Sequence, residues 1–137
     1  MRRLCLVFAG SLVVVLASCG GTSATTGDVT ALNSTLTDDA ITIRPETAAA
    51  GRVSVLISNE GSLVHEFEVF TGSSTDLPVA KGVADTSGMT LIDEVEDITP
   101  GASPTLDLDL DPGSYVIICN LPGHYEMGMV AKLTVTR

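Results

Sequence analysis

The sequence predicts an all-β domain, an antiparallel Greek-key sandwich or barrel of about seven to eight short strands. Three observations carry the prediction. From Ile41 onward apolar residues recur at every second position, the spacing that sets them on one face of a strand. The alternating runs are short and are separated by turn-forming clusters, among them Asn59-Glu60-Gly61-Ser62, Pro100-Gly101 and Asp111-Pro112-Gly113. Beyond the N-terminus no segment holds the period of a long helix, and no segment repeats.

The chain opens with Met1-Arg2-Arg3, then an almost wholly apolar run from Leu4 to Leu16, then Ala17-Ser18-Cys19-Gly20-Gly21. A basic start, an apolar stretch of roughly 13 residues and small residues at the cut make an export signal, here residues 1–18. The run is too short to span a bilayer, which takes about 20 residues. Leu16-Ala17-Ser18-Cys19 resembles the bacterial lipobox, and that resemblance implies that Cys19 is acylated and becomes the mature N-terminus. The plainer alternative is an ordinary signal peptide that carries a cysteine. Acyl chains, at about 0.8 kcal/mol per buried CH2, would hold the protein at the extracytoplasmic face of the cell membrane. Residues 19–37, rich in Gly, Ser, Thr and Ala without hydrophobic periodicity, read as a flexible tether. The domain is expected over residues 38–137.

Within it, Ile41 and Ile43 alternate with Thr42 and Arg44 until Pro45 interrupts, and Val53, Val55 and Ile57 share a face of the next strand. From Leu63 to Phe70, His65, Phe67 and Val69 fall on one face and Glu66 and Glu68 on the other, so His65 points inward with the apolar residues. Residues 71–90 carry little pattern, and 76–81 read as a short helical turn within a loop. Leu91 to Ile98 reads as a strand, although Asp93, Glu94, Glu96 and Asp97 break its alternation. Leu106, Leu108 and Leu110 alternate with Asp107, Asp109 and Asp111, the mark of a half-buried antiparallel strand. Those aspartates read as a solvated face and edge protection rather than a metal site. Tyr115, Ile117 and Cys119 share a face of the next strand, and Met129, Ala131, Leu133 and Val135 that of the last.

The formal net charge is −10. Cleavage before Cys19 would remove Arg2 and Arg3, leaving five Lys and Arg against seventeen Asp and Glu, a net charge of −12. Such a chain is unsuited to nucleic acid, whose backbone must be neutralised by cations. It is suited to steering toward basic partners. The same cleavage removes Cys5, and acylation takes Cys19, so Cys119 is left without an internal disulfide partner. An exported free thiol needs another use, and metal ligation is one.

Cys119-Asn120-Leu121-Pro122-Gly123-His124-Tyr125-Glu126-Met127-Gly128-Met129 places thiolate, imidazole and thioether within eleven residues. Each donor has a bland reading. Free cysteine often acts as a small buried hydrophobe, an inward histidine is usually a satisfied core residue, and a methionine at a strand start usually packs. Their conjunction is specific: Cys-x4-His-x4-Met, with His65 as the only other histidine of the chain. The short loop brings three donors to one point, His65 closes a trigonal His2Cys plane, and methionine takes the long, weak axial position of a blue-copper site.

At these residues the chain resembles the cupredoxin, or blue-copper, family. Asn59-x-Gly61-x3-His65-x-Phe67 is similar to the family's upstream motif and Cys119 to Met129 to its ligand loop, and the resemblance covers roughly residues 38–137. It implies one copper ion per chain, with His65, Cys119 and His124 as strong ligands and Met129 as the axial one. Met127 is the less fitting axial candidate, since Gly128-Met129 matches the pattern better. One departure is Glu66, where many family members carry an asparagine whose side chain ties the two ligand segments together. Its carboxylate is expected to accept from a backbone N–H near Asn120 and to lower the reduction potential by favouring Cu(II). Glu66→Gln is therefore expected to raise the potential in voltammetry, and an unchanged or lower value contradicts this. The Leu121 N–H, free because proline comes one residue later, is expected to donate to the thiolate.

These readings converge on a one-electron carrier rather than an enzyme. A mononuclear centre uses both histidines, leaving none for a second, catalytic copper, and Cys-His hydrolysis would need a pocket and an oriented base. The resemblance implies that electrons leave through the exposed edge of His124. Leu121, Pro122, Gly123, Tyr125 and Met127 would form an apolar docking rim of the small kind such encounters use. The expected partner is a redox protein that is basic at its docking surface. Copper storage or delivery on the same fold, and a metal-free binding module, are the alternatives.

Overall fold

A computed structural model describes residues 28–137. The export signal, Cys19 and the first part of the expected tether, residues 19–27, lie outside those residues. Among the described residues the chain forms eleven strands and one short helix. In order these are β1 (Thr30–Thr37), β2 (Ala40–Arg44), β3 (Thr47–Ala49), β4 (Gly51–Asn59), β5 (His65–Thr71), β6 (Val79–Ala80), β7 (Val83–Ala84), β8 (Leu91–Ile98), β9 (Thr105–Leu110), β10 (Gly113–Ile118), α1 (His124–Met127) and β11 (Val130–Thr136). One sheet has the order β2-β1-β4-β9 and the other β3-β11-β10-β5-β8, with β6-β7 a separate hairpin. The two sheets form a sandwich and not a closed barrel.

Three expectations need correction. Residues 30–37 are not tether: β1 runs parallel to β4 through the middle of the first sheet and buries Leu32, Ser34 and Leu36. The inward Ser34 hides the alternation, and it is accommodated because its hydroxyl donates to the Thr42 carbonyl at 2.8 Å. Second, the sheets are mixed rather than purely antiparallel, since β3 also runs parallel to β11. At Pro45-Glu46 the chain leaves β2 in the first sheet to enter β3 in the second, and at Gly51 (φ 109°) it returns to the first as β4. Third, residues 76–81 form no helical turn. They lead into the β6–β7 hairpin, whose central Lys81 and Gly82 both have positive φ (55° and 79°), the geometry of a two-residue hairpin turn.

The acids of β8 break its alternation for a structural reason. His65 pairs with Ile98 but Phe67 with Val95, so β8 carries one residue more than β5 across this interval. The extra residue is accommodated at Asp97, with φ 52°, and a second bulge lies between the Val69 and Phe70 pairs.

The main core lies between the sheets and includes Phe67, Val69, Ile117, Cys119, Met129 and Leu133. A second, smaller core covers the other face of β10 and β5, where Val116, Ile118 and Phe70 meet Ala84 and Tyr125. Strand β10 is thus buried on both faces, as its near-continuous apolar run Tyr115 to Cys119 requires. Glu68 lies on this outer face of β5, and its Oε2 is buried without a hydrogen-bond partner among the described residues. Burial, then repulsion from Glu66, Glu94 and Glu96, pushes its carboxyl up to about 7. In the unfolded chain it ionises at its ordinary value, so stability present in full below about 4.5 is lost as pH rises through about 7. Glu68→Gln is expected to remove this loss, melting several degrees above the parent at about pH 8 with little difference at about pH 5, by calorimetry across that range.

Candidate metal centre

One end of the sandwich gathers the donor residues. His65 is the first residue of β5, Cys119 follows the last residue of β10, His124 opens α1, and Met129 precedes β11. Because β5 and β10 are antiparallel neighbours, the start of one adjoins the end of the other, which brings His65 beside Cys119. The five-residue step from Cys119 to His124 is closed by hydrogen bonds from His124 N–H to Leu121 O (3.0 Å) and Met127 N–H to Gly123 O (3.1 Å). Cys119 N–H then donates to Met129 O at 3.2 Å, closing the loop on itself.

Two glycines make this packing possible. Gly128 takes φ 114°, and a Cβ there would stand 2.7 Å from the Asp39 carbonyl oxygen, so only glycine lets the β1–β2 turn approach the ligand loop. Gly61 lies against Asp38 and His65, and a Cβ on it would overlap the Asp38 carboxylate.

The donors converge. His65 Nδ1 lies 3.1 Å from His124 Nδ1, and Cys119 Sγ lies 3.3 Å from His124 Nδ1 and 3.9 Å from His65 Nδ1. Donors at ordinary imidazole and thiolate bond lengths around one trigonal ion stand roughly 3.5 Å apart. The triangle therefore fits a single metal ion, and two imidazoles with one thiolate are the equatorial set of a blue-copper site. Among the described residues no other cluster of potential ligands converges in this way. Met129 is fully buried in the same core, whereas Met127 is 48% exposed.

Protonation favours ligation. Burial, then the neighbouring His65, holds His124 below its ordinary imidazole value despite the opposing pull of Asp38, so it presents a neutral ring. Burial pushes the Cys119 thiol up, while backbone N–H groups of Glu66 and Leu121 pull it down. The Glu66 N–H to Sγ distance is 3.3 Å. Metal binding must displace the thiol proton, and the Glu66 N–H then stabilises the thiolate.

The Leu121 N–H pulls the thiol pKa down as well, but the hydrogen bond to Sγ is made by the Glu66 N–H. The expected tie through the Glu66 carboxylate takes another route: the Glu66 backbone N–H reaches Sγ, and Asn120 is engaged elsewhere. Its side chain accepts from Ala84 N–H (2.8 Å) and donates to Ala84 O (3.3 Å). Gly82 O accepts from Gly123 N–H at 2.8 Å. The Tyr125 hydroxyl donates to Thr75 O (2.6 Å) and accepts from Leu77 N–H (2.9 Å). Residues 75–84 thus strap the ligand loop from outside. Sequence reasoning also missed Asp38, whose Oδ1 lies 3.3 Å from His65 Nε2. A turn aspartate gives no sign in sequence of the histidine it will meet.

The copper-binding protein family described as "plastocyanin/azurin family" matches residues 6–136. No curated protein matches the sequence. Among solved structures, reduced auracyanin from the photosynthetic bacterium Roseiflexus castenholzii superposes with a TM-score of 0.57 at 21% identity, covering 80% of this chain and 97% of its own. Rusticyanin from Thiobacillus ferrooxidans gives 0.61 at 17%, covering 81% and 79%. An azurin from the obligate methylotroph Methylomonas sp. strain J gives 0.55 at 13%, covering 79% and 98%. At these identities the superpositions establish the fold alone, and it is the same sandwich in each. With the family matched over nearly its whole length, and with donors that fit one copper ion, the chain belongs to the plastocyanin/azurin family of copper-binding proteins, the cupredoxins.

Proposed function

We propose that this cupredoxin is a one-electron carrier, held by a lipid on Cys19 at the extracytoplasmic face of the cell membrane. The convergence of His65 Nδ1, His124 Nδ1 and Cys119 Sγ beneath a partly exposed His124 supports the reading. Copper, when bound, would supply a single electron by alternating between Cu(I) and Cu(II). His65, Cys119 and His124 would hold the ion, with Met129, buried where Met127 is not, as the fourth donor. The chain's work is to keep these donors in one arrangement acceptable to both oxidation states. Three constraints do so: the Glu66 N–H on Sγ, the two-sided burial of β10, and the strap on Asn120, Gly123 and Tyr125.

His65 is fully buried and His124 is not, so the His124 ring edge is the shortest way out for an electron. Of the expected rim, Pro122 and Met127 are exposed, whereas Tyr125 is buried in the outer core and Leu121 packs on the main one; Leu63 and Val64 of the β4–β5 turn are exposed apolar residues as well. The acids of β5 and β8 beyond the rim would steer a partner that is basic at its docking face.

Protein-film voltammetry of the copper-loaded protein tests the reading. Fast, reversible one-electron exchange is expected, with copper retained against an apo-protein acceptor. Sluggish exchange with ready surrender of copper would instead assign storage or delivery, and failure to develop an intense visible band with Cu(II) would assign a metal-free module. Fractionation of cells tests the anchor, since Cys19→Ala should move the protein out of the membrane fraction.

A further inference from the structure

Beyond the four donors, a carboxylate is built into the site from a distant part of the chain. Asp38 sits in the two-residue turn between β1 and β2, and its side chain crosses to the β4–β5 turn. Its Oδ1 accepts from the backbone N–H groups of Ser62 (2.8 Å) and Leu63 (3.0 Å), and its Oδ2 accepts from the Ser62 hydroxyl (2.6 Å). Oδ1 also lies 3.3 Å from His65 Nε2, the ring nitrogen opposite the one that faces Cys119 and His124. His65 is fully buried, so this carboxylate is the group that its outer nitrogen meets, and the Gly61 backbone, whose Cβ would overlap Asp38, leaves room for the contact.

We infer that Asp38 is a positioning residue of the metal centre: it accepts the Nε2 proton of His65, fixes the Nδ1 lone pair toward the copper site, and places a negative charge one imidazole away from it. Carboxylate-histidine-metal arrangements orient the ring and raise its basicity as a ligand, and losing the outer partner typically costs 10- to 100-fold in metal affinity. A carboxylate at this range interacts more strongly with Cu(II) than with Cu(I), because the extra positive charge would lie one imidazole ring away from it. Asp38 therefore biases the centre toward its oxidised form. The three donors of the Ser62-Leu63 segment hold the carboxylate where it is whether or not it touches His65, so geometry and charge are supplied in advance.

This inference rests on reading the site as a copper centre, and the test separates the two. Asp38→Asn keeps the shape and removes the charge. It is expected to lower Cu(II) affinity by roughly 10-fold or more, measured by competition with a chelator, with Cu(I) affinity changed less. Each tenfold change in the ratio of the two affinities appears as about 59 mV in the potential of a one-electron couple, here upward. Ser62→Ala removes a hydrogen bond to Oδ2 while leaving the charge, and it should leave that ratio close to the parent's. Equal shifts in the two variants, or no shift in Asp38→Asn, would overturn the role. Should Asp38→Asn fail to fold, the parent itself decides the matter. In its diamagnetic Cu(I) form, the His65 Nε2 proton should resonate as a slowly exchanging, downfield signal, and rapid exchange at that position would refute the contact. A protein that never develops a thiolate-to-copper band with Cu(II) would sink the copper reading instead.

Discussion

Cys119→Ala is expected to abolish the intense visible thiolate-to-copper band, and to weaken Cu(II) binding by more than the roughly 10- to 100-fold that loss of an outer-shell partner costs. Cys119 is the only sulfur of the triangle, and the Glu66 N–H that donates to it favours the thiolate over the thiol. The fold should survive, because removing one buried sulfur atom leaves only a small void in the main core, at about 1 kcal/mol. Circular dichroism on the same sample separates lost colour from lost structure. A variant that keeps the band would place another sulfur in the equatorial plane and dismantle the site described here.

Asn59→Ala is expected to destabilise the protein by about 3–5 kcal/mol, a large share of the roughly 5–15 kcal/mol that holds an ordinary domain together. Asn59 is buried at the end of β4, and its amide spans three segments. Nδ2 donates to Leu63 O and Ile98 O, each at 2.8 Å, and Oδ1 accepts from Gly61 N–H at 2.9 Å. Truncation removes three hydrogen bonds and leaves a buried carbonyl at Ile98 with one acceptor site emptied, and each net bond contributes about 1 kcal/mol. The midpoint of thermal unfolding should fall by roughly 10–20 °C. Copper affinity should fall with it, since the segment Asn59 fastens carries His65 at its end. A loss below about 1 kcal/mol in denaturant titration would mean that the turn holds itself without Asn59.

The convergence of His65, Cys119 and His124 was legible because histidine and cysteine are scarce in this chain: His65 sits in phase with Phe67 and Val69, Cys119 with Tyr115 and Ile117, and a four-residue gap ties His124 to Cys119. Most strands were legible from the same phasing, as in the Leu-Asp alternation of β9. What escaped was decided by contacts far along the chain. In β1, one inward serine satisfied by Thr42 disguises a buried strand as linker. Residues 75–84 have almost no core of their own and hold their course through hydrogen bonds to Asn120, Gly123 and Tyr125, some forty residues away. Local pattern carries no trace of such partners. Asp38 belongs to the same class, a turn aspartate in sequence and a neighbour of His65 in space. The bulges of β8 are an intermediate case, visible as broken alternation but explained only once the pairing with β5 is known.

The seat of the site where the β1–β2 turn, the start of β5 and the loop before β11 come together has a consequence for biogenesis. Fragments that end before Met129 lack at least one of the four candidate donors, and Met129 precedes β11, the strand that lies between β3 and β10 in the second sheet. His65, Cys119 and His124 are all in the chain by residue 124, but they come together only when β5 and β10 pair. Assembly of a complete donor set is therefore coupled to the folding of the second sheet and not to any short stretch of chain.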